Sequence, residues 1–281
     1  MSHSPEHSLT VKKADGALEP FAQDKLRQSL RRAGARPLSI DRIVRTVMEE
    51  GRGKTLTTYD IYKLAFKLLK AEKTSAAGRY HLKRAIFSLG PTGFPFEEFV
   101  AEIFRARGYR ATVDTVLDGN CATHELDVIA ANDRERIGVE VKFHNSPGVK
   151  TDLKVVLYVW ARFVDLNKQL GDRSKEFSQH WVLTNTKFTS QARRYAACAG
   201  LHLVGWSYPK KGNLQDLIEE TALHPVTTLT TLAKKYQTAL LERGHVLCRS
   251  IKENKGILRE IGMDEKKASA VLEEIHGLCH E

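Results

Sequence analysis

His124-Glu125-Leu126-Asp127-Val128-Ile129-Ala130, then a polar turn, then Val139-Glu140-Val141-Lys142-Phe143 reads as two short neighbouring strands that carry an aspartate, a glutamate and a lysine. Apolar residues alternate along Ile137, Val139, Val141 and Phe143, so the period of two sets Glu140 and Lys142 together on the opposite face. Two carboxylates without a neutralising partner repel each other. A divalent cation between them removes the conflict and supplies a Lewis acid, so Mg²⁺ held by Asp127 and Glu140 is the economical reading. Lys142 points the same way and can orient or deprotonate an attacking water, or stabilise a pentavalent phosphate. The group suits phosphodiester hydrolysis. The bland alternative is a hairpin in which Glu140 and Lys142 are solvated neighbours and Asp127 merely ends a strand.

Outward from this pair, Phe96-Glu97-Glu98-Phe99-Val100-Ala101-Glu102-Ile103-Phe104-Arg105-Ala106-Arg107-Gly108-Tyr109 reads as an amphipathic helix stopped by Gly108, with apolar positions at 96, 99, 100, 103 and 104. After Lys142 come an apolar helix over residues 151–166, a strand at 180–185, a helix at 189–199 and a last strand at 201–206. The order α-β-β-β-α-β predicts a compact mixed sheet flanked by helices. Residues 94–208 resemble the PD-(D/E)xK nucleases, specifically the Mrr-like restriction endonuclease branch. The resemblance rests on Phe96-Glu97, Gly108-Tyr109, Asp127 followed by Glu140-x-Lys142, and Thr184-Asn185-Thr186-Lys187-Phe188-Thr189 with Ala192. It implies Asp127 and Glu140 as metal ligands, Lys142 as the catalytic lysine and Glu97 as a carboxylate that supports the metal through water, with Glu98 as its rival. Glu125-x-Asp127 is also similar to archaeal Holliday-junction resolvases of the same superfamily, which leaves open the DNA structure cleaved. Family members often carry glycines before the aspartate, where this chain has Cys121-Ala122-Thr123-His124-Glu125. His124 either touches phosphate or is structural.

The first ninety residues form a separate pattern. Val11-Lys12-Lys13-Ala14-Asp15-Gly16-Ala17-Leu18-Glu19-Pro20-Phe21 predicts a tight hairpin with an Asp-Gly turn, and a helix follows through Lys25, Leu26, Ser29, Leu30 and Ala33 to Gly34. Further helices are expected over 40–50, 58–70 and 76–88. Residues 9–89 resemble the ATP-cone, the nucleotide-sensing domain of ribonucleotide reductases and of their transcriptional repressor, through Val-x-Lys-x-Asp-Gly, Phe21, Lys25, Ser29 and Arg79-Tyr80. The resemblance implies ATP or dATP bound between hairpin and helices, with phosphates at Lys13 and Lys25, Glu19 beside them and Thr58 at a helix start of the pocket. Lysines suit that role as mobile point charges. Ala14 stands where the cone motif has arginine, and Ala22 where a capping Asp or Asn is frequent. A degenerate cone that serves only oligomerisation is the alternative. Gly51-Arg52-Gly53-Lys54-Thr55 has the tail of a P-loop, but Met48 occupies the position of its first glycine, so a Walker mechanism is not expected.

The last seventy residues read as short helices. Ile261-Gly262-Met263-Asp264-Glu265-Lys266-Lys267 predicts a helix stop at Gly262 and a new N-cap at Asp264. It resembles a helix-hairpin-helix module, which grips DNA phosphates without reading bases; a packing or dimerisation tail is the alternative. The chain has 44 Lys+Arg against 34 Asp+Glu, a net charge of +10, which creates a positive field suited to a polyanion. Its length of 281 residues with 42% hydrophobic content fits two or three modest domains, each with a core. Cys121, Cys198, Cys248 and Cys279 contain no C-x-x-C pair and suit free thiols in a reducing cytoplasm. His276, Cys279 and His280 crowd the chain end but make a poor zinc site. No signal peptide or membrane span is expected.

The expected architecture is therefore a multidomain α+β or α/β chain. It comprises a β-hairpin plus helical cone over 9–90, a restriction-endonuclease-like mixed sheet flanked by helices over 94–209, and a small all-α region over 213–281. The expected function is a Mg²⁺- or Mn²⁺-dependent DNA endonuclease controlled by ATP or dATP, assembled as a homo-oligomer of two or more copies. Two alternatives stand beside it: a nucleotide-responsive DNA-binding regulator with an inactive nuclease fold, and a junction or repair nuclease.

Overall fold

The structure, a computed structural model, describes residues 9–171 and 176–279; His280 of the chain-end cluster lies outside them. The hairpin forms from β1 (Thr10–Lys12) and β2 (Leu18–Pro20), paired antiparallel. Gly16, at φ +86°, supplies the left-handed position of the turn, a conformation that an L side chain adopts only with strain. Helices α1 (Gln23–Arg32) and α2 (Pro37–Glu50) follow. A strand that the periodicity does not foresee, β3 (Leu56–Thr57), then pairs parallel to β1. Helix α3 (Thr58–Glu72) is opened by a capping box, in which Thr57 Oγ1 accepts from the Asp60 N–H and the Asp60 carboxylate accepts from the Thr57 N–H. Helix α4 (Thr74–Phe87) completes this unit.

Helix α4 does not belong to the N-terminal unit alone. Ala76 and Ala77 join the core formed by Leu30, Ile43, Val47 and Leu69, whereas Leu82, Ile86 and Leu89 join the core beneath the central sheet, with Phe96, Val139, Val246 and Leu247. Apolar side chains on more than one face of α4 contribute to both cores. Gly90 sits at this junction, where a Cβ would lie 2.5 Å from Asn145 Oδ1 and 2.7 Å from Phe143 Cε1.

Next come α5 (Phe94–Ala106), β4 (Arg110–Asp118), β5 (Thr123–Ala131), β6 (Arg136–Lys142), β7 (Lys150–Thr151), α6 (Leu153–Leu170), β8 (Gln179–Thr184), β9 (Lys187–Phe188), α7 (Ser190–Ala199) and β10 (His202–Val204). The five-stranded sheet has the order β10-β8-β6-β5-β4, with β4, β5 and β6 antiparallel and β6, β8 and β10 parallel. Helix α5 buries Phe96, Phe99, Val100, Ile103 and Phe104 on one face of the sheet, and α6 and α7 cover the other through Val156, Val159, Phe163 and Ala196. This is the expected mixed sheet flanked by helices. The small β7–β9 sheet, paired parallel, was not foreseen. Next, α8 (Leu214–Thr221) packs into the core beneath the sheet through Leu214, Leu217 and Ile218, and the short 3₁₀ turn Val226–Thr228, α9 (Lys234–Glu242), α10 (Cys248–Glu253), α11 (Ile257–Glu260) and α12 (Glu265–Cys279) follow, with a core of their own around Leu240, Leu258 and Val271. Gly262 is left-handed at φ +78°, and the Asp264 carboxylate accepts from the Lys267 N–H at 2.9 Å, so the expected helix stop and restart are present. All four cysteines are free. Among the described residues, no helix is long and apolar enough to cross a membrane.

Candidate functional site

Strand β6 lies between β5 and β8, so both of its edges are paired, and α5 and α6 cover its two faces. Ile137, Val139 and Val141 pack toward α5, which turns Glu140 and Lys142 toward α6. Glu140 is only 1% exposed. One carboxylate oxygen of Glu140 accepts from the Tyr158 hydroxyl and lies 2.5 Å from Lys142 Nζ, while the other accepts from the Arg162 guanidinium. The solvated-neighbour reading is therefore wrong for Glu140. A buried carboxylate is tolerated because cations and a hydroxyl surround it. Burial alone would lower the pKa of the Lys142 ammonium. The adjacent Glu140 charge outweighs burial and raises it above its ordinary range, so at neutral pH Lys142 is a cation that can position or stabilise but does not deprotonate water.

Asp127 meets the same point from β5. Its Oδ2 accepts from the Val141 N–H at 2.6 Å, between the two residues that carry the other charges. Burial and the repulsion of Glu140 push its carboxyl up to about 6, against the opposing pull of the Val141 N–H, Lys142 and Arg162. Asp127, Glu140 and Lys142 thus converge. Helix α5 adds Glu97, whose carboxyl is pushed up to about 7 by burial, then by the charges of Asp127 and Asp114. The choice between Glu97 and Glu98 is decided by helix phase, since Glu98 turns away to accept from Arg105 at 2.5 Å.

Three participants were missed. Asp114 interrupts the β4–β5 ladder between the pairs Val113↔Val128 and Thr115↔Leu126, with φ +46°, and helps to raise the Glu97 carboxyl. Its only sequence signal is its place in the β4–β5 register opposite Asp127. Tyr158 and Arg162 are four apart on α6 and so share the face that meets Glu140. His124 is structural. Its Nε2 lies 2.8 Å from Asp165 Oδ2, and the same carboxylate accepts from the N–H groups of Cys121 and Ala122.

Whether this pocket fits a divalent cation can be judged from its charges. Asp127 and Glu140 repel each other, and the raised carboxyl of Asp127, like that of Glu97 beside it, is the cost that a cation would relieve. Among the described residues, no three His, Cys, Asp or Glu side chains stand ready to hold a metal together.

The second candidate site is a cleft of about 1190 Å³ that gathers Lys13, Glu19, Lys25 and Thr58, all four of the residues expected around a nucleotide. Lys13 Nζ lies 3.2 Å from Glu19. Tyr59, Tyr62 and Tyr80 also line the cleft, and the Arg84 guanidinium stacks 4.4 Å from the Tyr59 ring and 4.2 Å from that of Tyr62. Ala22 caps α1 without a side-chain hydrogen bond, as its replacement of Asp or Asn implies.

The sheet, its flanking helices and the carboxylate–lysine centre coincide with residues 91–206, which match the family model for a restriction endonuclease catalytic domain. Residues 224–279 match the AF1548-like C-terminal family model. An uncharacterized protein of Archaeoglobus fulgidus is 40% identical over 176 residues, which cover 62% of this chain and 97% of that protein. The chain belongs to the AF1548-like family. The crystal structure of AF1548, a protein of unknown function, superposes with a TM-score of 0.55 at 38% identity, covering 67% of this chain and 98% of that one. A further likeness, to the MspJI restriction endonuclease in complex with a 27-mer oligonucleotide, has a TM-score of 0.35 at 14% identity over 72% of this chain and 40% of that one.

Proposed function

We propose that this protein is a divalent-metal-dependent DNA endonuclease whose activity is set by ATP or dATP in the N-terminal cleft. The observation that carries the reading is the meeting of Asp127, Glu140 and Lys142 at one partly buried point, inside a domain that matches restriction endonucleases. The excess of positive charge, +10 over the chain, supports a polyanionic substrate.

In this reading Asp127 and Glu140 hold Mg²⁺ or Mn²⁺, which when bound neutralises the paired carboxylates and supplies Lewis acidity toward the scissile phosphate. Lys142, kept as an ammonium by Glu140, orients the phosphate and stabilises negative charge developing on it. Glu97, raised to about 7, accepts a proton from the attacking water near neutral pH. Tyr158 and Arg162 fix the Glu140 carboxylate. In-line attack on phosphorus leaves a 5′-phosphate and a 3′-hydroxyl. Lys13, Lys25, Glu19 and Thr58 form the nucleotide-binding wall of an ATP-cone, and two or more copies of the chain assemble so that two centres address a double-stranded substrate.

A second reading has a specific observation in its favour. Both oxygens of Glu140 are already engaged by cations and a hydroxyl, as expected of a nuclease fold retained for binding alone. Supercoiled plasmid separates the two. Nicking or linearisation that requires Mg²⁺ or Mn²⁺ and changes with ATP or dATP supports the nuclease, whereas intact plasmid at every nucleotide and metal concentration, with DNA still bound, favours a nucleotide-responsive regulator. Preference for a branched over a linear substrate would mark a junction or repair nuclease.

A further inference from the structure

The cleft that gathers Lys13, Glu19, Lys25 and Thr58 is not closed by the N-terminal unit alone. Its far wall is made by Asn145, Pro147, Gly148, Lys150 and Lys187, from the segments that follow β6 and β8 of the nuclease sheet. The walls touch, since a Cβ on Gly148 would lie 3.4 Å from the Ala14 carbonyl oxygen, at the tip of the hairpin. Lys150 and Lys187 are direct partners across the parallel β7–β9 ladder, and both are exposed. Like charges held opposite each other on paired strands destabilise the pairing. From the near wall Lys83 joins them; its ammonium is lowered to about 8 by burial, then by Lys187, Arg84 and Lys13, so cations of both walls act on one space. The carboxylates lining this space are Asp15 and Glu19. A concave site with an excess of converging cations and an exposed tyrosine at its rim fits a polyphosphate that carries an aromatic base.

We propose that the cleft is a two-walled nucleoside-triphosphate site in which Lys150 and Lys187 of the nuclease unit bind the polyphosphate together with Lys13 and Lys83 of the N-terminal unit. The proposal deepens the nucleotide reading given above and rests on it. It also supplies the regulatory connection. Lys150 and Lys187 sit at the far ends of the two loops that leave Lys142 and Thr184, and those loops are already tied to each other. The Thr184 hydroxyl donates to the Lys142 carbonyl at 2.7 Å, and the Asn185 side chain bonds both the N–H and the carbonyl of His144 at 2.9 Å. A triphosphate that neutralises the Lys150–Lys187 repulsion therefore fixes the end of the strand that carries Lys142.

Calorimetric titration of the full chain with ATP, dATP and inorganic tripolyphosphate tests this. The Lys150→Ala/Lys187→Ala variant is expected to bind ATP and tripolyphosphate at least about tenfold more weakly, as loss of charge-assisted hydrogen bonds implies. Lys187→Arg should retain most of the affinity. Unchanged ATP affinity in the double variant, with Lys13→Ala still weakened, overturns the bridge and leaves the nucleotide reading standing. Failure of the parent protein to bind either nucleotide removes both. Weakened binding of duplex DNA with unchanged ATP affinity would assign the two lysines to a nucleic-acid backbone and overturn the proposal as well.

Discussion

Glu97 shows how much of the centre depends on single positions. Burial and the charges of Asp127 and Asp114 push its carboxyl up to about 7, so folding disfavours its ionised form. Its raised pKa contributes stability that is present in full below the unfolded value, near 4.5, and is lost as the pH rises through about 7. Glu97→Gln is therefore expected to match the parent's melting temperature at about pH 4 and to exceed it at about pH 8. Its cleavage should fall about a hundredfold or more if Glu97 is the base. Thermal melts across this range check the first claim, and a gain confined to acid would contradict it. The sequence made Asp127, Glu140 and Lys142 legible because a period of two needs only their spacing. It left Glu97 and Glu98 unresolved because one position of helix phase, about 100° of rotation, separates them. Tyr158, Arg162 and Asp114 were invisible for a different reason, since they meet the site only through the docking of α6 and the β4–β5 register.

Strand β6 is the element on which the arrangement turns, and its tolerance is set by Gly138. A Cβ there would lie 2.1 Å from Phe163 Cε1, 2.5 Å from its Cζ and 3.2 Å from Phe177 Cδ1. Gly138→Ala must push α6 away from the sheet, at a cost of about 1–3 kcal/mol. It should also loosen the hold of Tyr158 and Arg162 on Glu140, because both ride on α6. Urea denaturation read by circular dichroism measures the cost, and an unshifted midpoint would show that α6 yields without penalty. Helices α5 and α6 were legible from their apolar stripes, although α6 begins at Leu153 and runs to Leu170, beyond the expected 151–166. The two-residue strands β3, β7 and β9 were not, because two residues carry no period. Two of them, β7 and β9, place Lys150 and Lys187 on the cleft that Lys13 and Lys25 also line.

Across the whole molecule, α4 ties the N-terminal unit to the sheet and to the C-terminal segment, since it contributes to two cores. Leu82 and Ile86 share a cluster with Val246 and Leu247, and the Thr227 hydroxyl donates to the Ala85 carbonyl at 2.7 Å. Buried histidines set the response of this assembly to acid. Burial lowers His81, His180 and His224 to about 4, so each is neutral in the fold, and their contribution is present above the unfolded value of 6.5 and lost as the pH falls to about 4. Glu97 and Asp127 act in the opposite sense, and His144, also lowered by burial, adds to the histidine side. The melting temperature is expected to fall between about pH 7 and pH 4.5, and a flat profile would contradict the neutral histidines. That α4 serves two cores was hidden in the sequence because its buried Ala76, Ala77, Leu82, Ala85 and Ile86 spread around the helix and single out no one face. The central claim is that Asp127, Glu140 and Lys142 form a phosphodiester-hydrolysing centre. Its most direct test is Mg²⁺-dependent nicking of supercoiled plasmid by the parent protein and by Lys142→Ala, with DNA affinity measured in parallel. The account predicts that the variant keeps most of its DNA affinity and loses cleavage by about a hundredfold or more; equal cleavage by both proteins would contradict it.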